Sequence, residues 1–230
     1  MKKEFEKVQD EKTSEQPKKE TTKPNLVVAE FDNFQSYKRA KKRKNTIKFI
    51  ARVGIFSAIS AILYLLPFPP FKFSIFPAVA FLEVNFSEVP AMIAGFAYGP
   101  LAGFLVIVLR FLIKLPLSNT GFIGEFADLM YSSALVVSSA IIYSQSKTFK
   151  NAIIAIVMGG ICHISIAIIT NFYFIIDWYN VYYGGHLINE TFTKDVYLSW
   201  NIPFNVIKNI IVSVVTLLTY KRVHRLMDKI

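Results

Sequence analysis

Three polar side chains interrupt the last long apolar segment of the chain. Asn205, Lys208 and Asn209 lie in the first two turns of a stretch that covers residues 202–220. About 20 residues at 1.5 Å rise cover the hydrocarbon core of a bilayer, so this stretch is long enough to span one. An ammonium inside a spanning helix costs roughly 3 kcal/mol on insertion scales, which directs it to a cavity or a partner. Asn205 and Lys208 sit three apart on one helix face, where a carboxamide and an ammonium can converge on one guest. The plainer alternative has Lys208 snorkelling to the headgroups and Asn205 bonding a neighbouring helix. Asn171, near the end of the preceding apolar segment, is a third candidate. Glu125 and Asp128, three apart at the start of another, form the one acidic pair on a spanning face. Carboxylates in a first turn also complement the helix macrodipole. Glu125 is carried forward as a ligand-binding candidate, and a membrane enzyme using Glu125 and Asp128 is kept as the alternative class.

Other chemistries find no support in the sequence. It contains no G-x-S-x-G elbow, no H-E-x-x-H pair and no Walker A loop. His163, His186 and His224 fall in separate regions, and Cys162 is the single cysteine. His163 reads as a core residue bonded to a neighbouring helix. No metal, cofactor or nucleic acid is expected.

Composition sets the class. The chain has 230 residues, 53% of them hydrophobic, and a mean hydropathy of +0.40, which marks an integral membrane protein. The first 48 residues hold 14 of the 26 lysines and arginines, with the run 38–44 directly before the first apolar segment. Such a run beside a span follows the positive-inside rule. The loop with Lys147 and Lys150 and the end with Lys221, Arg222 and Arg225 are basic, whereas residues 177–200 are net acidic. Both termini are therefore expected in the cytoplasm of a multi-pass cell-membrane protein.

The organisation expected is all-α, a bundle of six transmembrane helices with a long external loop between helices 1 and 2. Residues 1–45 read as a disordered, lysine-rich tail and 46–225 as the membrane domain. The first span covers 46–66 and carries small residues at Gly54, Ser57, Ala58 and Ala61, whose spacing lets another helix approach closely. Pro67, Pro69 and Pro70 then forbid helix, so the aromatic stretch 67–86 is expected as a lid with a short extended piece. Ser87 is placed to cap a short second span, 87–98, and Gly99-Pro100 breaks it. The third span covers 101–115, with Arg110 and Lys114 expected to snorkel outward. Spans four, five and six cover 124–143, 151–176 and 202–220. With cytoplasmic termini, Asn171, Asn205 and Lys208 then share the outer end of the bundle, beneath the lid. The inner halves of the spans are apolar, so a cup opening outward fits better than a pore. Its aromatic wall and few polar groups suit a guest with one flat ring system and one polyhydroxylated or carbonyl-rich part.

The stretches Asn85-Phe86-Ser87-Glu88-Val89-Pro90, Gly99-Pro100-Leu101-Ala102-Gly103, Gly124-Glu125-Phe126-Ala127 and Ile202-Pro203-Phe204-Asn205-Val206-Ile207-Lys208 carry a resemblance. Over residues 48–225 the chain resembles the substrate-binding (S) components of energy-coupling-factor vitamin transporters, most closely the riboflavin-specific ones. The resemblance implies a non-enzymatic subunit that binds riboflavin from outside through Asn171, Asn205 and Lys208. It also implies a transmembrane coupling (T) subunit, docked on a small-residue motif of the first helix (Gly54/Ala58 or Ser57/Ala61). Two cytoplasmic ATPases would drive toppling of the loaded bundle. An S component for another vitamin or small molecule is the runner-up.

Overall fold

The computed structural model describes residues 26–67, 69, 71–77, 82–118, 120–184 and 194–227. Most of the expected tail (1–25), part of the lid (68, 70 and 78–81) and the loop 185–193 with His186 lie outside the described residues. The chain divides into two units, Met1–Thr46 and Ile47–Ile230. The described part of the first is helical from Leu26 onward, inside the segment expected to be disordered. Its lysine- and arginine-rich sequence contains neither Gly nor Pro after Pro24, so nothing local stops a helix.

Helix α1 (Leu26–Leu65) leads to an antiparallel pair, β1 (Lys72–Ser74) and β2 (Glu83–Asn85), in which Phe73 faces Val84. This is the extended piece expected after the prolines. Then follow α2 (Glu88–Tyr98), α3 (Pro100–Lys114) and α4 (Ile123–Gln145). Helix α5 (Phe149–Thr170) passes through a π-helical turn at Asn171–Ile175 into α6 (Ile176–Tyr182), and α7 covers Lys194–Met227. Among the described residues, five segments are long and apolar enough to cross a membrane, beginning at Asn33, Pro100, Ile123, Phe149 and Asp195. The second expected span, α2, has only 11 residues and falls short of that length. Two boundaries differ from expectation. The fifth helical path continues to Tyr182, and the sixth starts at Lys194 and runs through Pro203. Pro203 removes one N–H from α7, a loss tolerated where neighbouring side chains can re-satisfy the backbone.

Close approach of small residues holds the bundle together. Gly99, at φ +96°, makes the break between α2 and α3, a conformation that a side chain resists. The two helices then pack with Gly95 against Gly103, and a Cβ on Gly103 would meet Val136 Cγ1 at 2.7 Å and Ala91 O at 3.0 Å. Gly159 of α5 abuts α4, where a Cβ would lie 2.7 Å from Leu135 O. Around these crossings sit Met92, Ala94, Val106, Ile107, Leu135 and Val136, all buried. Farther along, Phe96 stacks on Tyr143 at 4.5 Å, and Tyr143 hydrogen-bonds Tyr220. Replacing Gly103 by Val should force α2, α3 and α4 apart. We expect its midpoint of thermal unfolding in detergent to fall by several degrees, the scale of an overpacked core at about 1–3 kcal/mol.

Candidate functional site

A cavity of about 400 Å³ lies between the ends of α1, α4, α5 and α7, next to the β1–β2 pair. Glu125, Asn171, Asn205 and Lys208, the four ligand-binding candidates of the sequence, all line it. Tyr64 and the hairpin residues Lys72 and Glu83 form part of its wall, the last two joined by an ion pair of 2.5 Å. Phe76 meets Trp200 of α7 at 5.3 Å between ring centroids, which ties the aromatic connection to the helix that carries Asn205 and Lys208.

Amide groups form one continuous chain along the cavity. Asn205 Nδ2 donates to Asn201 O and Asn201 Oδ1, both at 2.9 Å. Its Oδ1 lies 3.0 Å from His163 Nε2 on α5, so His163 is the core residue bonded to a neighbouring helix that was expected. Asn171 Nδ2 donates to Tyr131 Oη at 2.8 Å and Ala167 O at 2.7 Å, and reaches Asn201 Oδ1 at 3.4 Å. Tyr197 donates to Asn171 Oδ1 at 3.3 Å. The donors of both asparagines are thus committed within the protein, and their oxygens retain accepting capacity for a guest. Asn209, the third polar residue of the opening turns, points instead to Gly160 O of α5 at 3.5 Å. Asn201, Tyr131 and Tyr197 were not singled out from the sequence. Asn201 alone left a signal there, four residues before Asn205 on the same face.

Lys208 is held by charge. Its Nζ lies 2.6 Å from Glu88 Oε1 and 3.6 Å from Asp128 Oδ1. Asp128 Oδ2 in turn accepts from Arg110 Nη2 at 2.5 Å. Arg110 also donates to Ser87 Oγ at 2.5 Å and Ser132 Oγ at 2.9 Å. Two cations and two anions from α2, α3, α4 and α7 therefore neutralise one another inside the bundle. This corrects three expectations. Arg110 does not snorkel outward: it is 1% exposed, because Asp128 and Glu88 form its counter-charge. Lys114 also turns inward, lining the cavity with Nζ 3.9 Å from Glu125 Oε1 and donating to Leu117 O at 3.2 Å. Ser87 makes no capping bond with α2; its hydroxyl hydrogen-bonds Asn85 Oδ1 and accepts from Arg110. Glu125 accepts from Ser118 Oγ at 2.6 Å and Thr120 Oγ1 at 2.8 Å, so it pins the turn before α4 as well as facing the cavity. Removing one partner of a buried charge set leaves the others uncompensated. Arg110→Met should cost about 3–5 kcal/mol, seen as loss of folded, monodisperse protein or a large fall in its thermal midpoint, with Lys at that position a partial rescue.

On α1, the small-residue candidates divide between two faces. Ser57 and Ala61 are buried, and Ser57 donates to Val53 O at 2.8 Å. Gly54 and Ala58 are exposed, and a Cβ on Gly54 would meet nothing within 4 Å.

Comparison with known proteins agrees with this architecture. Residues 48–220 match the family described as ECF transporter, substrate-specific component. The riboflavin transporter RibU of Staphylococcus aureus (strain TCH60) is 28% identical over 190 residues, covering 82% of this chain and 98% of that protein. The riboflavin transporter FmnP of Bacillus subtilis (strain 168) is 27% identical over 174 residues, 74% of this chain and 88% of the relative. The solved S component of a bacterial ECF transporter superposes with a TM-score of 0.67 at 25% identity, over 79% of this chain and 98% of that one. The long apolar helices, the polar cavity beside the β1–β2 pair and a match over most of the chain lead to one conclusion: this protein is a multi-pass membrane protein that belongs to the ECF transporter substrate-specific component family.

Proposed function

We propose that this chain is the high-affinity riboflavin-binding subunit of an ATP-driven ECF importer. The observation that carries the reading is the convergence of Asn171, Asn205, Lys208 and Glu125 on one cavity of about 400 Å³ beside an aromatic connection. That volume falls in the range of small-molecule sites, which combine apolar walls with a few fixed polar groups. The amide oxygens of Asn171 and Asn205 accept from an N–H of the ring edge. An ammonium has three donors, and Glu88 engages Lys208 closely, which leaves donors for a ring carbonyl. The names of the relatives support riboflavin as the guest.

Vitamin enters from outside, past the hairpin, with both termini in the cytoplasm. A transmembrane coupling subunit and two cytoplasmic ATPases supply the energy, since this chain carries no nucleotide-binding loop. Of the two small-residue pairs on α1, Gly54/Ala58 is the one free to receive the coupling subunit, because Ser57 and Ala61 are buried within this chain.

Titration of purified protein with riboflavin, followed by quenching of flavin fluorescence, tests the ligand. Saturable quenching with Lys208→Ala and Asn205→Ala each weaker by about 1–3 kcal/mol is the expected result. Unchanged curves for both variants, or no quenching by the parent protein, refute the assignment. Docking is tested separately. Gly54→Leu/Ala58→Leu should abolish cellular riboflavin uptake while leaving the purified protein's affinity intact, and normal uptake would remove that face from the reading.

A further inference from the structure

The helical path that carries Asn171 changes pitch at that residue. Ile176 N donates back to Asn171 O, an i→i−5 bond that makes Asn171–Ile175 a π-turn within a path otherwise α-helical from Phe149 to Tyr182. In an unbroken α-helix, a residue eight positions on lies about 80° around the axis. The wider turn takes back much of that rotation. Asn171, Ile175 and Tyr179, at successive steps of four, consequently all line the cavity.

A second, independent feature seats Tyr179. Gly124, at the start of α4, leaves a notch for its phenol: a Cβ there would lie 2.7 Å from Tyr179 Oη and 3.0 Å from Thr120 Oγ1. One turn earlier Gly121, at φ +58°, does the same for Tyr182, whose ring a Cβ would meet at 2.5 Å. Rare helical geometry on one element and a missing side chain on another therefore converge on one hydroxyl.

The neighbours of that hydroxyl determine what it recognises. The single Thr120 proton goes to Glu125 Oε2, 2.8 Å away. Tyr179 Oη and Thr120 Oγ1 meet at the Gly124 notch, and Tyr179 lines the cavity beside Glu125. Glu125 Oε2 is filled by Ser118 and Thr120, while Oε1 has, among the described residues, only Lys114, at 3.9 Å. The Tyr179 hydroxyl and the Glu125 carboxylate together make a polar wall at the α4 end of the cavity, apart from the amide chain of α7. A phenol hydroxyl and a carboxylate side by side suit the hydroxyls of a guest, which both donate and accept.

We propose that Tyr179, placed by the π-turn and the Gly124 notch, is a specificity-determining residue that reads the polyhydroxylated side chain of the guest. This rests on the flavin reading above and assigns a separate part of the ligand to a separate part of the site. Riboflavin and lumiflavin, which carries a methyl group in place of the ribityl chain, distinguish the two. Tyr179→Phe keeps the ring and removes the hydroxyl; Gly124→Ala keeps the phenol and displaces it. Both variants should weaken riboflavin about 3- to 10-fold, the scale of one lost hydrogen bond, and leave lumiflavin affinity unchanged. If both variants weaken the two flavins in parallel, or neither affects riboflavin, this inference is wrong while the flavin site stands. If the parent protein binds neither flavin, the functional reading fails and this inference with it.

Discussion

Burying the Lys208 ammonium among apolar helices obliges the protein to bring a negative charge within hydrogen-bond reach, and Glu88 does so at 2.6 Å. Glu88 is itself fully buried, so it cannot stand alone with one cation, and the compensation extends to Asp128 and Arg110. The four groups come from four helices, three consecutive and the fourth, α7, about 80 residues farther along the chain. Their mutual neutralisation fixes how α2, α3, α4 and α7 meet, because displacing any one leaves charge without a counter-charge in a medium of low polarisability.

That constraint separates the two halves of the bundle. On the side away from the cavity, glycine and alanine crossings and the Phe96–Tyr143–Tyr220 ring cluster fill the interior with apolar contacts. On the cavity side, carboxamides, phenols and carboxylates satisfy one another first and present their remaining capacity to the space between them. The asparagines are spent as donors and open as acceptors; Lys208 is the converse. A site built this way has its hydrogen-bond polarity set before any guest arrives, which reduces what binding must order.

Small residues have opposite uses at different places in the chain. Gly95, Gly103 and Gly159 bring backbones together, whereas Gly124 clears room for one hydroxyl. On α1, Gly54 and Ala58 are exposed, while Ser57 and Ala61, one helical step away, are already used by the bundle. Spacing alone does not separate these roles. What lies opposite each residue does.

Apolar length and punctuation were enough to read the long helices, the Gly99–Pro100 break and the proline-rich connection, because in lipid a backbone must satisfy itself and little but a helix can do so. The i, i+3 relation of Asn205 and Lys208, and the position of Asn171 at the end of its segment, likewise placed those residues at one site before any packing was known. Periodicity could not tell that Arg110 turns inward, since the same helix position suits a snorkelling side chain until Asp128 and Glu88 are placed opposite it. Tyr179 is less legible: counted along an α-helix from Asn171 it lies about 80° round the axis, and the π-turn brings it nearer. The local sequence determined which segments are helical and which polar residues they carry. Tertiary structure decided which of those residues meet, because a buried charge or hydroxyl takes its role from partners that arrive from distant parts of the chain.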